Sequence, residues 1–78
     1  MQDIEKNVAE ILSLLLGKNI QPYENCSMKS CPTWDSIKHI EIIVTLEEKF
    51  DISFAAAEIP LLITQAMLVA RIRELKNA

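Results

Sequence analysis

Among the residues that could do chemistry, Ser36 is the best placed. It follows Asp35, and His39 comes three residues later. Asp35 is a good helix N-cap, because its carboxylate can accept bonds from the unpaired amides of a first turn. Ile37, Ile40 and Val44, with Ile43, Leu46 and Phe50, recur at the three- and four-residue spacings that build one apolar helix face. The pattern puts Ser36 at the start of that helix with its hydroxyl exposed. Amide ends at a helix start favour negative charge, so a serine there suits a phosphate ester. A histidine three residues on lies on the same side of the helix, and Ser36 with His39 also spells a nucleophile and its base. Against that reading, no nucleophile elbow or oxyanion-hole motif surrounds Ser36, and 78 residues are few for a hydrolase scaffold.

The two cysteines, Cys26 and Cys31, fall in one loop. A disulfide between them is geometrically conceivable, but reduced thiols are the expectation where no export signal is read. Two cysteines and one distant histidine are too few ligands, at the wrong spacing, for zinc, so no metal is expected.

The elements that must position Ser36 are helical. Half of the residues are hydrophobic, few are aromatic, and one Gly with three Pro leaves little material for tight hairpins. A chain of this size forms one small domain, 1–78, and buries only roughly 60–65% of its unfolded surface. Asp3 can cap a first helix that runs to about Leu16, with Ile4, Val8, Ile11, Leu12 and Leu15 as its buried stripe and Gly17 as its stop. Residues 18–34 read as a long loop broken by Pro22 and Pro32, with Ile20, Tyr23 and Met28 as its anchors. The second helix spans roughly Ser36 to Phe50, about 22 Å. Ser53 is placed to cap a short third helix over Ala55, Ala56, Ala57 and Glu58, closed by Pro60. Thr64 can cap the last helix, whose buried face is Leu68, Val69, Ile72 and Leu75, with Arg71, Arg73 and Lys76 favourable near its C-terminal end. The fold expected is all-α: a four-helix bundle of three longer helices and one short one, with a long first connection.

Eleven acidic residues against eight basic give a formal charge of −3. That balance argues against nucleic acid, which wants a basic footprint. No apolar run approaches membrane-spanning length, and the acidic, amphipathic beginning does not read as a signal peptide. The expectation is a cytoplasmic monomer that does not insert into membranes.

The stretch Asp35-Ser36-Ile37, with Glu41, Leu46-Glu47-Glu48 and Phe50-Asp51 following in order, resembles the attachment site of acyl carrier proteins. The likeness reaches into the flanking helices and so covers most of the chain. It implies that a phosphopantetheinyl transferase attaches 4′-phosphopantetheine to Ser36, with Asp35 and Ile37 completing the motif. It also implies acyl groups held as thioesters on that arm, with acyl-activating, ketosynthase or acyltransferase enzymes supplying the catalysis. On this view the chain is a free-standing, bacterial-type carrier for fatty-acid, polyketide or related specialised biosynthesis, and not itself an enzyme. An aminoacyl or peptidyl carrier, including one for D-alanine, is the neighbouring alternative. An unmodified helical interaction domain is a different class, and a minimal hydrolase using Ser36 and His39 is the remote one.

In the family, acidic residues of this helix face basic patches on partners, where charge chiefly sets encounter rate and partner choice. Glu41, Glu47 and Glu48 match that role. Lys38 and His39 sit where acidic or neutral polar residues are frequent, Lys49 interrupts the acidic end, and the short third helix is alanine-rich, all pointing to dedicated partners. Lys38 and an exposed His39 join the expected docking set. Trp34 either closes the loop over the helix start or anchors a partner. The alanines either form helix or leave a soft wall for a cargo lined by Val44, Ile59 and Leu62.

Overall fold

A computed structural model describes residues 3–77. It contains three α-helices: α1 (Ile4–Leu16), α2 (Ser36–Phe50) and α3 (Gln65–Asn77), with a single 3-10 turn at Ile59–Leu61 between the last two. Among the described residues there is no strand, only an isolated bridge between Ser27 and Thr64. No helix among the described residues is long and apolar enough to cross a membrane.

Each α-helix starts on the side chain its sequence offers. Asp3 Oδ1 accepts from the Lys6 amide at 3.2 Å, Asp35 Oδ1 from the Lys38 amide at 2.9 Å, and Thr64 Oγ1 from the Met67 amide at 3.1 Å. α1 ends at Gly17, whose backbone is left-handed (φ 68) and whose amide donates to the Ser13 carbonyl at 3.0 Å. A Cβ at Gly17 would meet nothing within 4 Å, so backbone conformation, not space, favours glycine here. α2 ends the same way on Asp51, also left-handed (φ 54), with the Ile52 amide donating to Glu47 O at 3.1 Å.

The core gathers Val8, Leu12 and Leu16 of α1, Ile42, Ile43, Leu46 and Phe50 of α2, and Leu68, Val69 and Ile72 of α3. α1 packs against both other helices. Ile4, Leu15 and Leu75, expected on buried stripes, are only half-buried. The larger correction is on α2. Ile37, Ile40 and Val44 are exposed, and the buried face runs through His39, Ile42, Ile43, Leu46 and Phe50. The helix carries two apolar stripes, and only one of them meets α1.

The connection 18–34 is long but fastened. Ser13 Oγ accepts from the Ile20 amide at 2.9 Å, and Thr33 Oγ1 donates to the Leu16 carbonyl at 3.0 Å. The buried Gln65 carboxamide accepts from the Cys26 amide at 3.0 Å and donates to the Gln21 carbonyl at 3.0 Å. Ile20 is buried and Met28 half-buried, as the sequence suggested. Tyr23 is not an anchor: its backbone is left-handed (φ 65) and its side chain is 77% exposed. Cys26, Cys31 and Trp34 take the inward positions instead.

The expected short helix over 55–58 is replaced by the 3-10 turn. Four residues gain few helical hydrogen bonds against the cost of nucleation. The caps also differ: Glu58 Oε2 accepts from the Ala55 amide at 2.8 Å and Glu47 Oε2 from the Phe54 amide at 2.9 Å, while Ser53 is exposed. Pro60 sits inside the turn, at a first-turn position that asks for no N–H, and does not close a helix.

Candidate functional site

Ser36 is the first residue of α2 and is exposed. Asp35, also exposed, stands just outside the helix and uses one carboxylate oxygen on the Lys38 amide. The hydroxyl therefore lies where the unpaired amides and the positive end of the helix dipole favour an anionic substituent.

Beside it is an open groove of about 320 Å³, lined by Ser36 and His39 with Met28, Ile40, Ile59, Pro60 and Ile63. Three segments form it: the loop, the first turns of α2 and the 3-10 turn. Its lining is apolar apart from the serine hydroxyl and the imidazole. Of the cargo-lining candidates, Ile59 does line it. Val44 is exposed elsewhere along α2, Leu62 is buried in the core, and Ala55, Ala56 and Ala57 lie exposed on the connection.

His39 and Trp34 are not surface residues. His39 is 5% exposed and Trp34 2%. The Trp34 indole Nε1–H donates to His39 Nδ1 at 3.1 Å, and His39 Nε2 lies 2.7 Å from the Ile59 carbonyl oxygen. An indole nitrogen only donates and a carbonyl only accepts. Nδ1 must therefore carry the lone pair and Nε2 the proton. The expectation of an exposed His39 is corrected, and Trp34, likewise buried, packs where the loop meets the start of α2. Nor is His39 free to act as a base toward Ser36, because its one lone pair is already taken by the indole. Period-based reading missed this because it counts a histidine as polar, whereas here it occupies the buried stripe with both nitrogens satisfied.

Ile37, expected in the attachment motif, is 72% exposed and, with Ile40 and Val44, makes an apolar stripe on one side of Ser36. The remaining docking candidates divide. Glu41 and Glu48 are exposed, and Lys38 Nζ pairs with Glu41 Oε2 at 3.4 Å, a contact worth about 0–1 kcal/mol in solvent. Glu47 is half-buried and committed to the Phe54 amide. The outer face of α2 is thus mixed in charge and strongly apolar.

Comparison of the chain with protein-family models and with curated proteins gives no match.

An ion pair missed in the sequence holds the groove's far wall. Arg71 of α3 meets Glu58 through Nε–Oε1 at 2.6 Å and Nη2–Oε2 at 3.3 Å, just before the 3-10 turn. The Arg71 hydrogen bond, the bond from the Ala55 amide and the Arg71 charge hold the Glu58 carboxyl below its ordinary value. Lys76, expected to act on its own helix end, donates instead to the Phe50 carbonyl of α2 at 3.1 Å. Both thiols are free and buried. Burial, then Cys31, pushes the Cys26 thiol up; burial opposes Cys31, but its bonding to Thr33 and the Lys18 charge bring it below the ordinary thiol value. No cluster of metal-ligating side chains occurs among the described residues.

Proposed function

We propose that the protein is a carrier for acyl groups, with 4′-phosphopantetheine attached to the Ser36 hydroxyl by a phosphopantetheinyl transferase. The observation that carries this reading is the exposed Ser36 at the first position of α2, capped by Asp35 and bordered by an apolar groove. The residues fit the group. The helix start favours the negative phosphodiester, exposure gives the transferase access, and the groove offers apolar surface to an arm leaving Ser36. When bound, the arm would supply a thiol that holds acyl groups as thioesters. The chain's own part is presentation, and catalysis belongs to acyl-activating, ketosynthase or acyltransferase partners in fatty-acid, polyketide or related biosynthesis. Asp35 and Ile37 complete the site recognised by the transferase. Exposed Ile37, Ile40 and Val44, with Lys38, Glu41 and Glu48, form the surface offered to partners. In this reading the 3-10 turn at Ile59–Leu61 stands where the carrier bundle has its short helix, and the protein works as a cytoplasmic monomer.

The test is to incubate the protein with coenzyme A and a broad-specificity transferase and to weigh it. One arm-sized mass gain, lost in Ser36→Ala and kept in His39→Gln, is expected. An unchanged mass would make the domain an unmodified interaction module. Loading with acyl- and aminoacyl-activating enzymes then separates the acyl carrier from an aminoacyl one.

A further inference from the structure

The chain's one histidine and one tryptophan are bonded to each other inside the wall of the groove. Their rings lie 6.1 Å apart between centroids and 28° from parallel. The imidazole is the middle of a three-part relay. The loop contributes the indole, α2 the imidazole, and the 3-10 turn the Ile59 carbonyl, which also accepts from the Leu62 amide at 3.2 Å.

This relay works in one protonation state only. The neutral ring with its proton on Nε2 satisfies both neighbours. A proton taken from solvent onto Nδ1 turns that nitrogen into a donor and sets it against the indole N–H. Turning the ring over does not help, because both nitrogens of an imidazolium donate, and Trp34 offers no acceptor. A buried donor without a partner is costly. The groove that His39 lines is the ring's route to water.

Among the described residues, no neighbouring charge is free to compensate. The other groove-lining residues, Met28, Ser36, Ile40, Ile59, Pro60 and Ile63, carry no titratable group of that kind. On α2 and its cap, Asp35 is committed to the Lys38 amide and Lys38 to Glu41. Before the turn, Glu58 is committed to Arg71 and the Ala55 amide. On the loop, the Cys31 thiol lies against the Thr33 hydroxyl at 3.3 Å.

We propose that His39 is a proton-operated latch on the groove: the neutral ring pins the 59–61 turn against α2, and protonation makes the ring leave Trp34 and release the Ile59 carbonyl, opening the groove beside Ser36. The latch does not depend on what Ser36 carries.

Nitrogen-15 NMR of the unmodified protein reads it directly. At neutral pH the imidazole should show the Nε2–H tautomer. On acidification from neutral pH to the onset of unfolding, three signals should move with one midpoint: the His39 ring, the Trp34 indole N–H, and the amides of residues 59–63. Acrylamide quenching of Trp34 should rise severalfold over the same step. In His39→Gln, whose amide can accept from the indole and donate to Ile59 but does not titrate, the last two signals should stay flat. An Nδ1–H tautomer overturns the latch. So does a His39 titration that leaves the turn amides unmoved, or an indole and turn transition that survives in His39→Gln. The first two readouts need only the native sequence, so they decide the matter even if the variant folds poorly.

Discussion

At the scale of single residues, α2 shows how one change of partner reassigns a side chain. His39 is polar by type, yet it lies at 5% exposure because the indole and a carbonyl satisfy both its nitrogens. Ile37 is apolar by type, yet it lies at 72% exposure because no element covers its side of the helix. The two readings of α2 separate on a pair of variants. Ile42→Ala removes a fully buried side chain and should cost about 2–5 kcal/mol in urea unfolding. Ile37→Ala should change stability by less than about 0.5 kcal/mol, because its side chain is already in water. If Ile37→Ala were the more destabilising of the two, the buried face would be the one the residue spacing first suggested. Any loss of partner binding in Ile37→Ala at unchanged stability would place the exposed stripe in the docking surface.

At the scale of elements, the ends of the helices were legible and their orientation was not. Asp3, Gly17, Asp35 and Thr64 each act through their own backbone neighbourhood, so their roles could be read from the string of residues. Which stripe of α2 turns inward depends on where α1 packs, and no local rule holds that information. The 3-10 turn was hidden for a related reason. Its place is held by Glu58, which joins the Ala55 amide to Arg71 across 13 residues of sequence. That pair predicts a pH dependence with a definite sign. The folded-state carboxyl of Glu58 is depressed, by the Arg71 hydrogen bond first and then the Ala55 amide. A depressed carboxyl stabilises the fold above its unfolded value and loses that contribution as pH falls through the folded value. The native protein should therefore melt above Glu58→Gln at neutral pH, and the two should converge as the pH drops below the ordinary glutamate value of 4.5. Equal melting temperatures at every pH would show that the half-buried pair adds nothing to the turn's stability.

At the scale of the whole molecule, the long connection behaves as part of the bundle. The Cα radius of gyration is 11.3 Å, against about 11.5 Å for a compact chain of this length, so 17 residues of loop add no bulk. Composition gave the size and helical class, but it could not foresee that Gln65 would carry the loop. That side chain sits at the start of α3, where its carboxamide meets the Cys26 amide and the Gln21 carbonyl, and its own amide donates to the Cys26 carbonyl at 2.7 Å. Cys26 and Cys31, at 5% and 1% exposure, report on this fastening. If loop and helices open together, both thiols should react with an alkylating reagent only through global unfolding, and the labelling rate should follow urea with the full unfolding slope. Gln65→Ala should then uncouple the segment: Cys26 becomes reactive while helical circular dichroism is retained. Labelling of Cys26 in the native protein at the rate of an unfolded thiol would mean that the loop opens by itself.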